Sequence, residues 1–143
     1  MTQNINLKVP PFHLRDAFKA IVEESHGRSV AAGWWRTSFD LDLLGEVQDE
    51  TRLGVALVNE KIALIHSEIS EAMEGFRKDA MDDKLEHRKQ IEVELADAII
   101  RIADLAGALQ LDVGGAIVDK MAYNQIRKDH SQEERSSVGG KRF

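Results

Sequence analysis

A run of apolar positions stands out along the chain: Val58, Ile62, Ile65, Ile69, Ala72 and Phe76, spaced four, three, four, three and four. That spacing keeps every side chain on one face of an α-helix, so it predicts a helix from about Leu53 to Lys78. A later stretch is apolar on two sides. Ile91, Leu95, Ile99, Ile102, Ala106 and Leu109 form one stripe; Val93, Ala96, Ile100 and Ala103 form a second. A helix apolar on two sides is packed on two sides, so the helix predicted from about Lys89 to Leu111 is central. The polar segment from Asp82 to Arg88 connects the two.

The flanking regions carry weaker signals. Residues 12–26, following Pro10 and Pro11, predict a first helix with Gly27 as its C-terminal stop. Residues 28–51 hold Gly33-Trp34-Trp35 and the acidic run DLDLLGEVQDE, and predict a loop with a short helical turn. Asp112 is a candidate N-cap for a last helix from Val113 to about His130. No strand-like alternation occurs. The expected fold is therefore all-α, a helical bundle of about four main helices. Residues 1–11 are expected to form an arm, and residues 131–143, SQEERSSVGGKRF, a flexible tail.

Composition narrows the classes of function. A length of 143 residues suggests one domain over 1–143, and a 43% hydrophobic content suits a folded globular chain. The formal net charge of −6 argues against gripping a nucleic-acid polymer, which needs clustered Lys and Arg. It leaves nucleotides open, because their phosphates arrive with metal ions. The absence of cysteine excludes disulfides and thiolate metal sites. The start, MTQNINLKVP, lacks the apolar core of a signal peptide. The apolar region 95–111 contains Asp97, Arg101 and Asp104, so it is not a membrane span. A cytoplasmic protein without membrane partners is expected.

Two short words carry the candidate chemistry: Glu68-Ile69-Ser70-Glu71 and Glu94-Leu95-Ala96-Asp97. Residues three apart share a helix face, so each word pairs two carboxylates at the border of a packing surface. The bland alternative is a solvated face with ordinary salt bridges, among them Asp97 with Arg101 at i,i+4. Yet two such pairs on adjacent helices bring four acids together, and these repel unless cations intervene. An oxygen-only donor set suits Mg²⁺ or Mn²⁺. A di-iron site would want two Glu-x-x-His pairs, and the chain has one match, Glu23 to His26, beside Gly27. Magnesium therefore ranks above iron. His66 points to a different side from Glu68 and is read as a packed or interface residue.

Lys120, Asn124 and Arg127 fall within about 60° of one another on the last helix, bordered by Tyr123. An ammonium, an amide and a guanidinium can hold phosphate oxygens and a sugar; the alternative is a solvent-facing basic strip. Lys61, two turns before Glu68, either reaches a phosphate or snorkels along the core. Trp34 and Trp35 precede the acidic helix and can stack on a base, although core or subunit-interface roles compete with that.

An E-x-x-E on one helix, an E-x-x-D on the next and a K-x-x-x-N on a third resemble the MazG-like superfamily of all-α nucleoside triphosphate pyrophosphohydrolases. The stretches LIHSEISEAMEGFRK, EVELADAIIRIADLAG and KMAYNQIRKDH carry the likeness, over roughly residues 30–143, and it is greatest to the short single-domain members. The resemblance implies Mg²⁺-dependent cleavage of a nucleoside triphosphate between the α and β phosphates, giving a monophosphate and pyrophosphate. It implies Glu68, Glu71, Glu94 and Asp97 as metal ligands. Of these acids, we expect Glu71 nearest the attacking water. The resemblance implies Lys120 and Asn124 at the nucleotide, and Lys120 and Glu71 as the groups closest to catalysis. Lys61, Arg127 and Trp35 complete the expected substrate contacts. Many relatives have a lysine four residues before the first motif acid; here that position is Leu64. The resemblance also implies a bundle completed by homodimerisation or homotetramerisation. The alternatives are a non-catalytic helical partner protein with a residual site, and a hydrolase of an alarmone or another nucleotide conjugate.

Overall fold

A computed structural model describes residues 7–127, 135, 136 and 138. Among them there are five helices: α1 (Pro11–Ala31), α2 (Leu43–Gln48), α3 (Arg52–Lys78), α4 (Gln90–Ala108) and α5 (Val113–Ile126). The described residues form no strand; Arg36 with Asp42 and Met81 with Lys89 make isolated bridges only. The fold is all-α, with four long helices and α2 as the short turn. None of the helices described is long and apolar enough to cross a membrane. Most of the expected arm and tail lie outside the described residues; α5 ends at Ile126, short of the expected His130, because Arg127 leaves the helix in an extended conformation (ψ 123°).

The chain divides into two compact units, Met1–Lys19 with Asp112–Phe143, and Ala20–Leu111. In the first, Asp112 caps α5 by accepting from Gly115 N–H at 2.9 Å, and its other oxygen takes Arg15 Nη2 at 2.6 Å. These bonds satisfy an orphan amide at the helix start and place an acid where the helix dipole favours it. The same bonds hold the Asp112 carboxyl below its ordinary range, the Gly115 N–H contributing most.

The second unit is built on the α3–α4 hairpin. Asp79 adopts a left-handed conformation (φ 49°) and ends α3, and Ala80 N–H returns to Gly75 O at 3.0 Å. Asp82 then accepts from the Lys84 and Leu85 amides, turning the chain back into α4. A Cβ at Gly75 would lie 2.9 Å from the Gln90 side chain, so glycine permits the close start of the seam. Along that seam Gly75 meets Gln90, Glu68 meets Asp97, and Lys61 meets Asp104. Each step is seven residues on both helices, two turns, so the same antiparallel register recurs.

Two further boundaries differ from the sequence expectation. α1 does not stop at Gly27 but continues to Ala31. A helical glycine costs only about 1 kcal/mol, and side-chain bonds from His26 and Ser29 to Asp104 anchor the extra turn. The stop is Gly33 (φ 81°), where Gly33 N–H bonds Val30 O and Trp34 N–H bonds Ser29 O. These two bonds form the Schellman pattern that glycine at this position allows. α4 ends at Ala108 rather than Leu111, because Gln110 turns left-handed (φ 54°) and Leu111 N–H returns to Ala106 O.

Asp42 caps α2 by accepting from Leu44 N–H at 3.1 Å. α2 lies so close to the start of α3 that a side chain at Gly54 would strike the Glu46 carbonyl. The core gathers here: Trp35, Val47 and Ala108 are buried, with Leu43, Leu44, Leu57, Val58 and Leu109 packed against them. Elsewhere α4 buries small residues, Ala98, Ala103 and Ala106, while Leu95, Ile99 and Ile100 stay exposed. The two-sided packing predicted for α4 is thus not completed among the described residues.

Candidate functional site

The small residues of the seam let α3 and α4 approach closely, and this brings carboxylates from both helices together. Glu68, Glu94 and Asp97 each offer an oxygen within 4.8 Å of the others. Glu68 and Glu94 are buried, and Asp97 is the more accessible of the three. Glu71, the fourth acid of the sequence motif, is exposed and lies outside this trio, although its charge still acts on Glu94. One cation intervenes. Arg101 Nε donates to Glu68 Oε1 at 2.7 Å, across the seam. The expected helical pair of Arg101 with Asp97 gives way to this contact, since the buried Glu68 gains more from a partner than an accessible acid does.

Burial and two like charges act on Glu94. Desolvation raises its pKa first; Glu71 and Glu68 raise it further, and Gln90 Nε2, donating at 3.3 Å, works in the opposite sense. The folded chain therefore binds this proton more tightly than the unfolded one. Stability contributed by Glu94 is intact below its unfolded value of about 4.3 and falls as pH rises through the raised folded value. In EDTA, Glu94→Gln should melt higher than the parent at pH 7, with the gain gone below about pH 4. Thermal melts at the two pH values read this directly, and a variant that melts lower at pH 7 would count against the repulsion described.

Two turns along the same seam lies a third buried acid, one that the sequence motifs do not include. Asp104 Oδ1 accepts from Trp35 Nε1 at 2.9 Å and lies 2.8 Å from His26 Nδ1; Oδ2 accepts from Ser29 Oγ at 2.9 Å. Lys61 Nζ stands 3.9 Å from Oδ2 and 4.5 Å from the centre of the Trp35 ring. His26, read from sequence as the end of a helix, is instead wedged against Gly107, where a Cβ would come within 2.6 Å of its own Cβ. Trp35 is 2% exposed, so the accessible tryptophan is Trp34, at 70%. The signal that could have found Asp104 is its position seven residues after Asp97, an acid repeating at seam spacing inside an apolar run.

A cavity of about 680 Å³ joins these features. Trp34, Trp35, Lys61, Asp97, Arg101 and Asp104 are among the residues lining it. It shares Asp97 with the acidic trio and Lys61 with the Asp104 network. No protein-family model, curated protein or solved structure matches this chain.

The remaining sequence candidates lie on α5, in the other unit. Lys120 Nζ and the Arg127 guanidinium stand 4.9 Å and 5.8 Å from the centre of the Tyr123 ring, as cation–π pairs do. Asn124 Oδ1 is buried with no hydrogen-bond partner among the described residues. His66 is exposed on α3.

Proposed function

We propose that this chain is a Mg²⁺-dependent nucleotide pyrophosphohydrolase that cleaves a nucleoside triphosphate between the α and β phosphates. The observation that supports this reading is the juxtaposition of a carboxylate trio with a cavity that shares Asp97 and is lined by Trp34, Lys61 and Arg101. The donor set fits the ion. Three carboxylates within 4.8 Å, two of them buried, are hard oxygen ligands whose mutual repulsion a divalent cation relieves. Glu68, Glu94 and Asp97 would hold the metal, and Glu71 borders them as a further acid. When bound, Mg²⁺ neutralises phosphate charge and makes water more acidic. Arg101, at the cavity wall beside Glu68, presents a guanidinium to phosphate oxygens. Glu71, exposed and close enough for its charge to act on Glu94, would take the proton of an attacking water.

Incubation with Mg²⁺ and a panel of nucleoside triphosphates in labelled water tests the reading. The products should be a monophosphate and pyrophosphate, with the label in one of these two. Label in free orthophosphate would overturn the reading.

One observation favours a different reading. Arg101 already supplies the trio with a cation inside the protein, as a structural ion pair in a non-catalytic helical partner protein would. Absence of turnover across the panel, with a stable fold, would support that alternative.

The proposal includes self-association. Val55, Ile62, Ile69 and Phe76 recur at seven-residue steps on α3 and are between 41% and 72% exposed. An apolar line at that spacing suits a facing helix, and a second copy supplies one. The chain should run as a homodimer or homotetramer at micromolar concentration in light scattering, and Ile69→Glu should shift it toward monomer. A monodisperse parent monomer would remove this part of the proposal.

A further inference from the structure

Lys61 is held unusually for a lysine. Its side chain is 20% exposed, its ammonium lies against the Trp35 face, and its ion-pair partner Asp104 stands at 3.9 Å, beyond hydrogen-bond distance. Asp104 is not free to close that gap, because Trp35, His26 and Ser29 hold both its oxygens. An ammonium has three donors and no acceptor function, and a largely desolvated one needs acceptor atoms to meet them, best of all polar oxygens. Lys61 lines the cavity, so its donors turn to whatever occupies that space.

Position decides what those atoms belong to. On α3, Lys61 is seven residues before Glu68, and on the antiparallel α4, Asp104 is seven residues after Asp97. Both displacements run the same way, about 10 Å at an α-helical rise. Lys61 is pinned toward Asp104, away from the acidic trio. Trp34, Trp35, Leu43 and Leu57 line the cavity, together with the polar Arg28, Ser29 and Glu60. A phosphate held at the acids is therefore a nucleoside's length from the ammonium, and the surroundings of Lys61 suit a flat ring.

We infer that Lys61 donates to a carbonyl oxygen on the ligand's heterocycle, so that the cavity selects bases bearing a ring carbonyl over those without one. This rests on the nucleotide reading for its ligand class but on neither metal nor hydrolysis. Adenine presents no carbonyl, whereas hypoxanthine differs from it by having one at the same ring carbon. Lys61 is thereby assigned to base recognition in place of the phosphate contact considered from sequence.

The test is a titration of the full chain with inosine and adenosine in EDTA, followed by tryptophan fluorescence, since both tryptophans line the cavity. A hydrogen bond to a charged group implies that inosine binds tighter by roughly tenfold to a hundredfold. Lys61→Met keeps the apolar stem and should bring the two nucleosides to within about threefold of each other, mainly by weakening inosine. Equal or tighter binding of adenosine by the parent overturns the inference without any variant. So does absence of binding by either nucleoside, or a Lys61→Met variant that weakens both equally. Inosine preference without turnover of any triphosphate would sink the hydrolase reading and leave this one; turnover without preference would do the reverse.

Discussion

Asp97→Asn and Glu68→Gln should each lower Mg²⁺-dependent kcat/KM by roughly a hundredfold or more, because a bound metal supplies several kcal/mol of charge stabilisation and each tenfold corresponds to about 1.4 kcal/mol. The two variants are not equivalent. Asp97 is the more accessible of the trio, and the ion pair of Arg101 is with Glu68. Its amide replacement should leave the melting temperature nearly unchanged and affect turnover alone. Glu68→Gln also weakens the Arg101 contact in a buried position, so it should melt somewhat lower as well. Circular dichroism should stay helical in both. EDTA should abolish turnover of the parent, and Mg²⁺ should raise its melting temperature, since an ion bound only by the folded state stabilises it. Turnover undiminished by EDTA would rule out the metal site.

Replacing Asp104 should give the opposite profile: a large loss of stability. Asp104→Ala removes the acceptor for Trp35 Nε1, Ser29 Oγ and the His26 ring. The Trp35 donor is buried and the Ser29 and His26 partners are half-buried; a buried donor left unsatisfied costs about 1–3 kcal/mol. Losing all three contacts at once corresponds to a fall in melting temperature of roughly 10 °C for a chain of this size. Asp104→Asn keeps one acceptor oxygen and should fall less. The fluorescence of Trp35, buried in the parent, should shift toward longer wavelength as its anchor is lost. A melting temperature for Asp104→Ala within a degree or two of the parent would show that the network is not holding α1 and the Trp35 loop to the seam. The contrast between Asp97 and Asp104, one seam step apart, would separate an acid that holds a metal from one that holds the fold.

Much of the helical layout is legible in one dimension because helix periodicity is a local property. The spacing from Val58 to Phe76 places α3 within a residue of its observed limits, and the Asp112 cap marks the start of α5. The pairing of Glu68 with Glu71 and of Glu94 with Asp97 on their own helix faces follows from the same arithmetic. Which acids then meet was settled by the register between α3 and α4. That register depends on close approach at Gly75 and on the turn at Asp79 to Arg88, and it gathers Glu68, Glu94 and Asp97 while leaving Glu71 exposed. Gly27 reads locally as a stop, but anchoring of His26 and Ser29 on Asp104, seventy-five or more residues away, outweighs a small helix penalty. Trp34 and Trp35 are identical letters with opposite fates, because the chain reverses between Gly33 and Asp42 and turns Trp35 into the core. The amino-acid sequence determined the helices and the acids each presents; the tertiary structure decided which of those acids converge, which cation joins them, and that Asp104 organises the cavity wall, since each of these depends on contacts between residues far apart in the chain.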